Sequence, residues 1–242
     1  MALVKFRALV QRCVNAFGYR IERVRERVEA PIDVLDLLLT RPSAERSDFF
    51  FVQVGANDGV TDDPIRKYVT RYHWRGLLVE PQPRVFQALL ANYAGEKQLL
   101  FENAAVADAD GTARLFVADH DHEAANLTVY SSLKRDTLVH TLGGGRAAGV
   151  RARVTEVEVP ALCVRSLLAR HGVSRVDLLQ TDVQGSDREV VEQFLDCGVR
   201  PGVLHFEHCH TPRPALNALY RRLVKDGYRF AEFEYDTVAY TP

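Results

Sequence analysis

The chain of 242 residues has little that would take it out of the cell or into a membrane. It holds no apolar run of the ~18 residues that a membrane-spanning helix needs. Its N-terminus lacks the uninterrupted apolar core and small-residue cleavage site of a secretion signal. The four cysteines (13, 163, 197 and 209) show no C-x-x-C spacing. That excludes a disulfide scaffold or a zinc ribbon and makes a reducing cytoplasm the expected compartment. Charge of one sign is missing too: 31 Lys and Arg stand against 32 Asp and Glu, a net charge of −1. Nothing global therefore attracts nucleic acid or an anionic membrane. A hydrophobic share of 47% is ordinary for a globular protein. The chain also lacks a Walker lysine motif and the G-x-G-x-x-G turn of dehydrogenases, which brings a helix N-terminus to a pyrophosphate.

What is there centres on residues 49–59, FFVQVGANDGV. Phe49, Phe50, Phe51, Val52 and Val54 read as a strand buried on both faces, typical of the middle of a parallel sheet. Gly55 and Gly59 let the backbone turn sharply and approach a ligand closely. Asp63 and Pro64 predict the start of a helix running to about Arg71. The next strand, Gly76 to Val79, ends in Glu80, 21 residues beyond Gly59. That is where a nucleotide-binding α/β fold keeps an acid to accept hydrogen bonds from ribose hydroxyls. The acid within the turn, Asp58, would repel a pyrophosphate. S-adenosylmethionine carries a ribose, an adenine, a sulfonium and an ammonium but no phosphate, and suits such a turn.

Along the rest of the chain, strands alternate with helices. Residues 1–27 hold one lysine and six arginines against two glutamates, with Leu3, Phe6, Val10, Cys13, Val14 and Phe17 near helical spacing. This predicts a basic amphipathic helix packed on its own domain, with a membrane surface or a partner as the alternative. A second helix is expected from Ile32 to Leu39 and a third from Pro83 to about Tyr93. Strands are expected at Leu99 onward, Thr112–Val117, Arg153–Val159, Val176–Thr181 and Val203–Phe206. Tyr228–Phe233 and Thr237–Tyr240 should form an antiparallel pair. Gly172 should end one helix, and Ser186 with Glu189 should form a capping box for another. Residues 119–150 show no long apolar run and four glycines, which suggests a mobile lid. The expected organisation is an N-terminal helical extension over 1–45 and one domain over 46–242. The fold class is α/β, a doubly wound sheet, mostly parallel with an antiparallel C-terminal strand.

The segments FVQVGANDGVTDDPIRKY, WRGLLVEPQPRVFQALLANY, NAAVADADGTARLFV, VDLLQTDVQGSDREVVEQF and VLHFEH, in this order, resemble the FkbM-type methyltransferase family over about residues 49–240. The resemblance implies a class I methyltransferase (Rossmann-like) fold, S-adenosylmethionine as cofactor, and methylation of hydroxyl oxygens on natural products and sugars. It also implies that Gly55, Ala56, Asn57 and Gly59 wrap the methionine moiety, that Glu80 holds the ribose, and that Asn103 and Ala104 border the adenine. The lid would shape the acceptor pocket. One departure stands out: many members read D-x-E-G where this chain has Asp182, Val183, Gln184 and Gly185.

Asp182 ends a central strand beside the expected methyl group and is the first candidate for catalysis. His208 is the second, and the lid histidines 120, 122 and 140 are others. The cluster Glu207, His208, Cys209 and His210 has metal-ligand residue types. Strand alternation sends neighbours to opposite faces, so no metal is expected there, with a metal shared with Asp182 as the alternative. The acceptor should be a small hydroxylated molecule rather than nucleic acid, with N-methylation or an inactive cofactor-binding scaffold as rivals. The oligomeric state stays open, a homodimer included.

Overall fold

The computed structural model describes residues 33–40, 48–119, 130–143, 153–233 and 235–242. The basic segment 1–27 and the histidines at 120 and 122 lie outside them. The described fold belongs to the compact unit Val34–Pro242.

Its centre is a seven-stranded sheet. The strands are β1 (Phe50–Val54), β2 (Arg75–Val79), β3 (Leu99–Glu102), β8 (Leu178–Thr181), β9 (Val203–Glu207), β10 (Arg229–Glu232) and β11 (Asp236–Tyr240), in the spatial order β10-β11-β9-β8-β1-β2-β3. All pairings among β3, β2, β1, β8 and β9 are parallel, whereas β11 runs antiparallel to both of its neighbours. The expected mostly parallel α/β sheet with an antiparallel C-terminal strand is therefore present.

Alternate residues of each strand feed two cores, one on each face of the sheet. On one face Val52, Val54, Leu77, Val79 and Leu179 pack against helices α5 (Val164–His171), α6 (Asp187–Asp196) and α7 (Arg213–Lys225). On the other, Phe51, Leu78 and Leu178 pack against α1 (Val34–Leu39), α2 (Arg66–Tyr72) and α3 (Pro83–Asn92). The only tryptophan, Trp74, stacks on Phe49 at 4.2 Å between centroids and anchors this second core. Leu35, Leu38 and Leu39 of α1 are buried in it. The end of the stretch that the sequence assigns to an extension is thus integral to the domain.

A second sheet of four strands was not legible as such. It contains β4 (Ala105–Val106), β5 (Gly111–Asp119), β6 (Ser131–Ser132) and β7 (Arg153–Leu162), in the order β4-β7-β5-β6. β5 and β7 pair with each other over nine residues, Gly111↔Ala161 through Asp119↔Arg153. The presumed structureless lid contains β6 and a helix, α4 (Arg135–Gly143). Leu138 and Leu142 of α4 pack with Ala118, Phe116, Tyr130 and Val154 of the small sheet. Residues 120–129 and 144–152 of that segment lie outside the described residues.

Candidate active site

The order of the large sheet reverses between β1 and β8, and ligands of open α/β sheets bind outside the strand ends at such a point. A cleft opens there, at the switch point where small-molecule sites of α/β sheets lie. Gly55, Ala56 and Asn57 line it after β1, Glu80 after β2, Ala104 to Val106 after β3, and Asp182 after β8. Ser131, Ser132 and Leu133, in and after β6, close one side.

Each wall has a local cause. Gly55 has φ +81°, and a Cβ there would collide with the carbonyl oxygen of Asp182, so only glycine lets the two strand ends meet. The amides of Gly55 and Ala56 both donate to the carbonyl of Val79, at 2.9 and 3.0 Å. Glu80 is 5% exposed, and its two oxygens accept from the backbone amides of Asn57 (3.0 Å) and Gln82 (2.8 Å). Burial pushes its pKa up to about 7 against those two hydrogen bonds, with the charges of Asp182 and Asp58 adding to the rise. The Asn103 side chain donates to the carbonyls of Glu80 (2.7 Å) and Pro81 (3.1 Å), tying the second and third strand ends together.

The turn after β8 is built on Asp187, not on the expected capping box. Its buried carboxylate accepts from the amides of Val183 (3.1 Å) and Gly185 (3.2 Å), and burial followed by the charge of Asp182 raises its pKa to about 7. Ser186 makes no capping hydrogen bond, and Glu189 instead takes Lys134 at 3.0 Å. Gln184 holds a left-handed φ of +52°, and its amide donates to Asp182 Oδ1 at 2.7 Å. The β6–α4 segment is fastened to this turn: Ser132 Oγ donates to the Gln184 carbonyl at 2.7 Å and Lys134 Nζ to the Gly185 carbonyl at 2.5 Å.

Gly55, Ala56, Asn57, Glu80, Ala104 and Asp182 therefore converge on one cleft. Gly59, Asn103 and His208 are not among the residues that line it. Gly59 fits beneath Tyr93 and Leu89, and Asn103 braces the floor. His208 Nδ1 lies 2.9 Å from Thr237 Oγ1. Asp58 is likewise turned into its own loop, where it accepts from the amides of Val60 and Thr61 and from the Thr61 hydroxyl. Its oxygens are thus taken up by the loop, while its charge still acts on Glu80. The acids on the cleft wall are Asp62, Asp63, Glu80 and Asp182, and no Lys, Arg or His is among its described lining residues. Asp62 and Asp63 were missed because they read as a helix start. Gln53 and Gln180, paired across β1 and β8, also face the cleft, each with a buried side-chain oxygen that has no hydrogen-bond partner.

A family model for the methyltransferase FkbM domain matches residues 53–230. The chain belongs to this family. It is thus a methyltransferase dependent on S-adenosylmethionine. Among solved structures, the fibrillarin of Aeropyrum pernix with natively bound S-adenosyl-L-methionine is 13% identical, with 86% of this chain and 73% of that one covered at a TM-score of 0.45. The METTL16 methyltransferase domain is 11% identical, covering 97% and 78%, at 0.47. An RNA methyltransferase of Salinibacter ruber with S-adenosyl-L-homocysteine is 14% identical, covering 88% and 92%, at 0.38. No curated protein sequence matches the chain. Likenesses this distant say nothing of the acceptor.

The cleft of this FkbM-family enzyme fits the cofactor by its donor chemistry. Four carboxylates with no cation among the described lining residues reject a pyrophosphate but suit a ligand bearing sulfonium and ammonium charges. The unmet oxygens of Gln53 and Gln180 are further acceptors for such a ligand. Among the described residues no helix is long and apolar enough to cross a membrane.

Proposed function

We propose that this enzyme methylates a hydroxyl oxygen of a small molecule, a natural product or a sugar, in the cytoplasm. The observation that carries the reading is Asp182, an exposed carboxylate on the cleft wall next to Gly55 and oriented by the amide of Gln184. S-adenosylmethionine supplies a methyl group on a sulfonium that leaves as a neutral thioether. An alcohol attacking that carbon must shed a proton, and Asp182 receives it. Glu80 holds the ribose hydroxyls with the lone pairs that its two backbone hydrogen bonds do not use. Gly55, Ala56 and Asn57 bind the methionine moiety. Ala104, Ala105 and Val106 offer the adenine an apolar wall.

Ser131, Ser132 and Leu133 of the small sheet border the side of the cleft left for the acceptor. Reaction requires the oxygen, carbon and sulfur to be nearly collinear, and the fastening of β6–α4 to the Asp182 turn fixes the wall against which the acceptor aligns. A net charge of −1 and a cleft with no cation among its described lining residues make nucleic acid the poorer acceptor. Incubation of a pool of hydroxylated small molecules with isotope-labelled S-adenosylmethionine, followed by mass spectrometry, should show label in an O-methyl ether. Label confined to amines or to RNA would overturn the reading.

A further inference from the structure

Strand alternation in the sequence argues against a metal at residues 207–210, but that argument stops where β9 stops. Glu207 is the last residue of β9, pairing with Asp236, and the chain then turns, with the Thr211 amide donating to the His208 carbonyl at 2.9 Å. His208 points away, toward Thr237. Cys209 and His210 swing back, so that one ligand atom each of Glu207, Cys209 and His210 lies within 4.8 Å of the others. We propose that these three side chains form a binding site for one divalent cation of the zinc type.

The donors are one carboxylate oxygen, one sulfur and one imidazole nitrogen, a set that favours zinc or cobalt over magnesium and calcium, which take oxygen ligands. His210 Nε2 lies 3.6 Å from Glu207 Oε2. Ligand atoms around a tetrahedral zinc with bonds of about 2.0–2.3 Å are about 3.3–3.8 Å apart, so this edge needs no rearrangement. Glu207 Oε2 is buried and has no hydrogen-bond partner, which is unusual for a carboxylate oxygen and natural for a ligand. Around the three stand Thr141 of α4, whose Oγ1 is 3.4 Å from His210 Nε2, and the Asp182–Gly185 turn, whose Gly185 backs on to His210 Cβ. Asp182 and Asp187 are near enough for their charges to act on both Glu207 and Cys209.

Burial raises the pKa of Glu207 to about 9 and that of the Cys209 thiol to about 12, so both hold a proton in the free protein; Cys209 binds as thiolate and Glu207 as carboxylate, and both protons go to solvent. A cation so near to Asp182 would act as a Lewis acid on an acceptor oxygen. That consequence rests on the function proposed above, while binding itself does not.

The test uses the full chain, stripped with a chelator and titrated with cobalt(II), because a thiolate on cobalt gives a charge-transfer band that carboxylate and imidazole do not. One equivalent should bind with such a band, and zinc should displace it. Cys209→Ser should abolish the band, and His210→Ala and Glu207→Gln should each weaken binding by about tenfold or more. Cys209 is exposed, so the serine variant is expected to fold, which circular dichroism checks. Absence of saturable binding, or a band that survives Cys209→Ser, overturns the site. Calorimetry with S-adenosylmethionine on the same samples reports separately on the cofactor cleft.

Discussion

Glu80 is both a buried structural acceptor and the cofactor's ribose ligand in the proposed function, and its raised pKa ties the two together. In the free protein it titrates at about 7. Ribose hydroxyls donate to its ionised form, so binding should release a proton. Affinity for S-adenosylmethionine should then fall about tenfold for each pH unit below that value. Calorimetry between about pH 5.5 and 8 measures this, and Glu80→Gln should flatten the profile; an unchanged slope in the variant would remove Glu80 from the site. Glu80→Ala should weaken binding by roughly 1–3 kcal/mol. Asp182→Asn keeps shape and removes the base. It should lower kcat about 100-fold while the cofactor Kd changes little, and wild-type turnover would reduce Asp182 to a turn residue. The Gln184 departure is explained by the structure to this extent: an amide at 184 can donate to Asp182, whereas a glutamate there would set a second carboxylate against it.

At the scale of elements, the glycine turn serves packing as much as binding. Gly59 has φ +71°, and a Cβ there would lie 2.5 Å from Tyr93 of the segment that follows α3. Gly59→Ala should therefore destabilise the protein by about 1–3 kcal/mol, from the left-handed backbone and the overpacking together. The thermal midpoint should fall while cofactor affinity persists below it, and a loss of affinity without loss of stability would restore Gly59 to the binding turn. The β6–α4 element makes the opposite point. Leu138 and Leu142 give it a small core, and Ser132 and Lys134 pin it to the Asp182 turn. Ser132→Ala with Lys134→Ala should raise the acceptor KM several-fold and leave cofactor affinity near wild type. An unaltered KM would show that this wall does not shape the acceptor side.

For the whole molecule, buried carboxylates set the dependence of stability on pH. Glu80 and Asp187 titrate at about 7 in the folded protein, above their ordinary values of 4.5 and 3.8. A raised carboxylate pKa means that the folded state holds more protons than the unfolded one, so stability falls as pH rises from the unfolded value through the folded one. The half-buried histidines 208 and 210 have lowered pKa values, so they oppose this trend only below their ordinary 6.5. Without cofactor, the thermal midpoint should therefore drop between about pH 6.5 and 8, and saturating S-adenosylmethionine should shrink the drop by binding ionised Glu80. A midpoint that climbs through that range would contradict the protonated state of these two groups.

Local chemistry was enough for the sequence to determine the strand–turn–helix at 49–72, the strand ends carrying Glu80 and Asp182, the C-terminal strands and the family. Each follows from short-range signals: apolar runs, glycines needing positive φ, and acids at fixed offsets. Only the tertiary structure decided which side chains share a space. β5 and β7, whose nearest pairing Asp119↔Arg153 joins residues 34 apart in sequence, form the centre of a second sheet through backbone pairing between distant segments. Asp187 displaced Ser186 and Glu189 from the turn because burial makes two backbone amides depend on one carboxylate, and Asp58 turned inward for the same kind of reason. Glu207, Cys209 and His210 met because β9 ended one residue before alternation would have kept them apart. Such outcomes depend on contacts between distant segments, which no local pattern encodes.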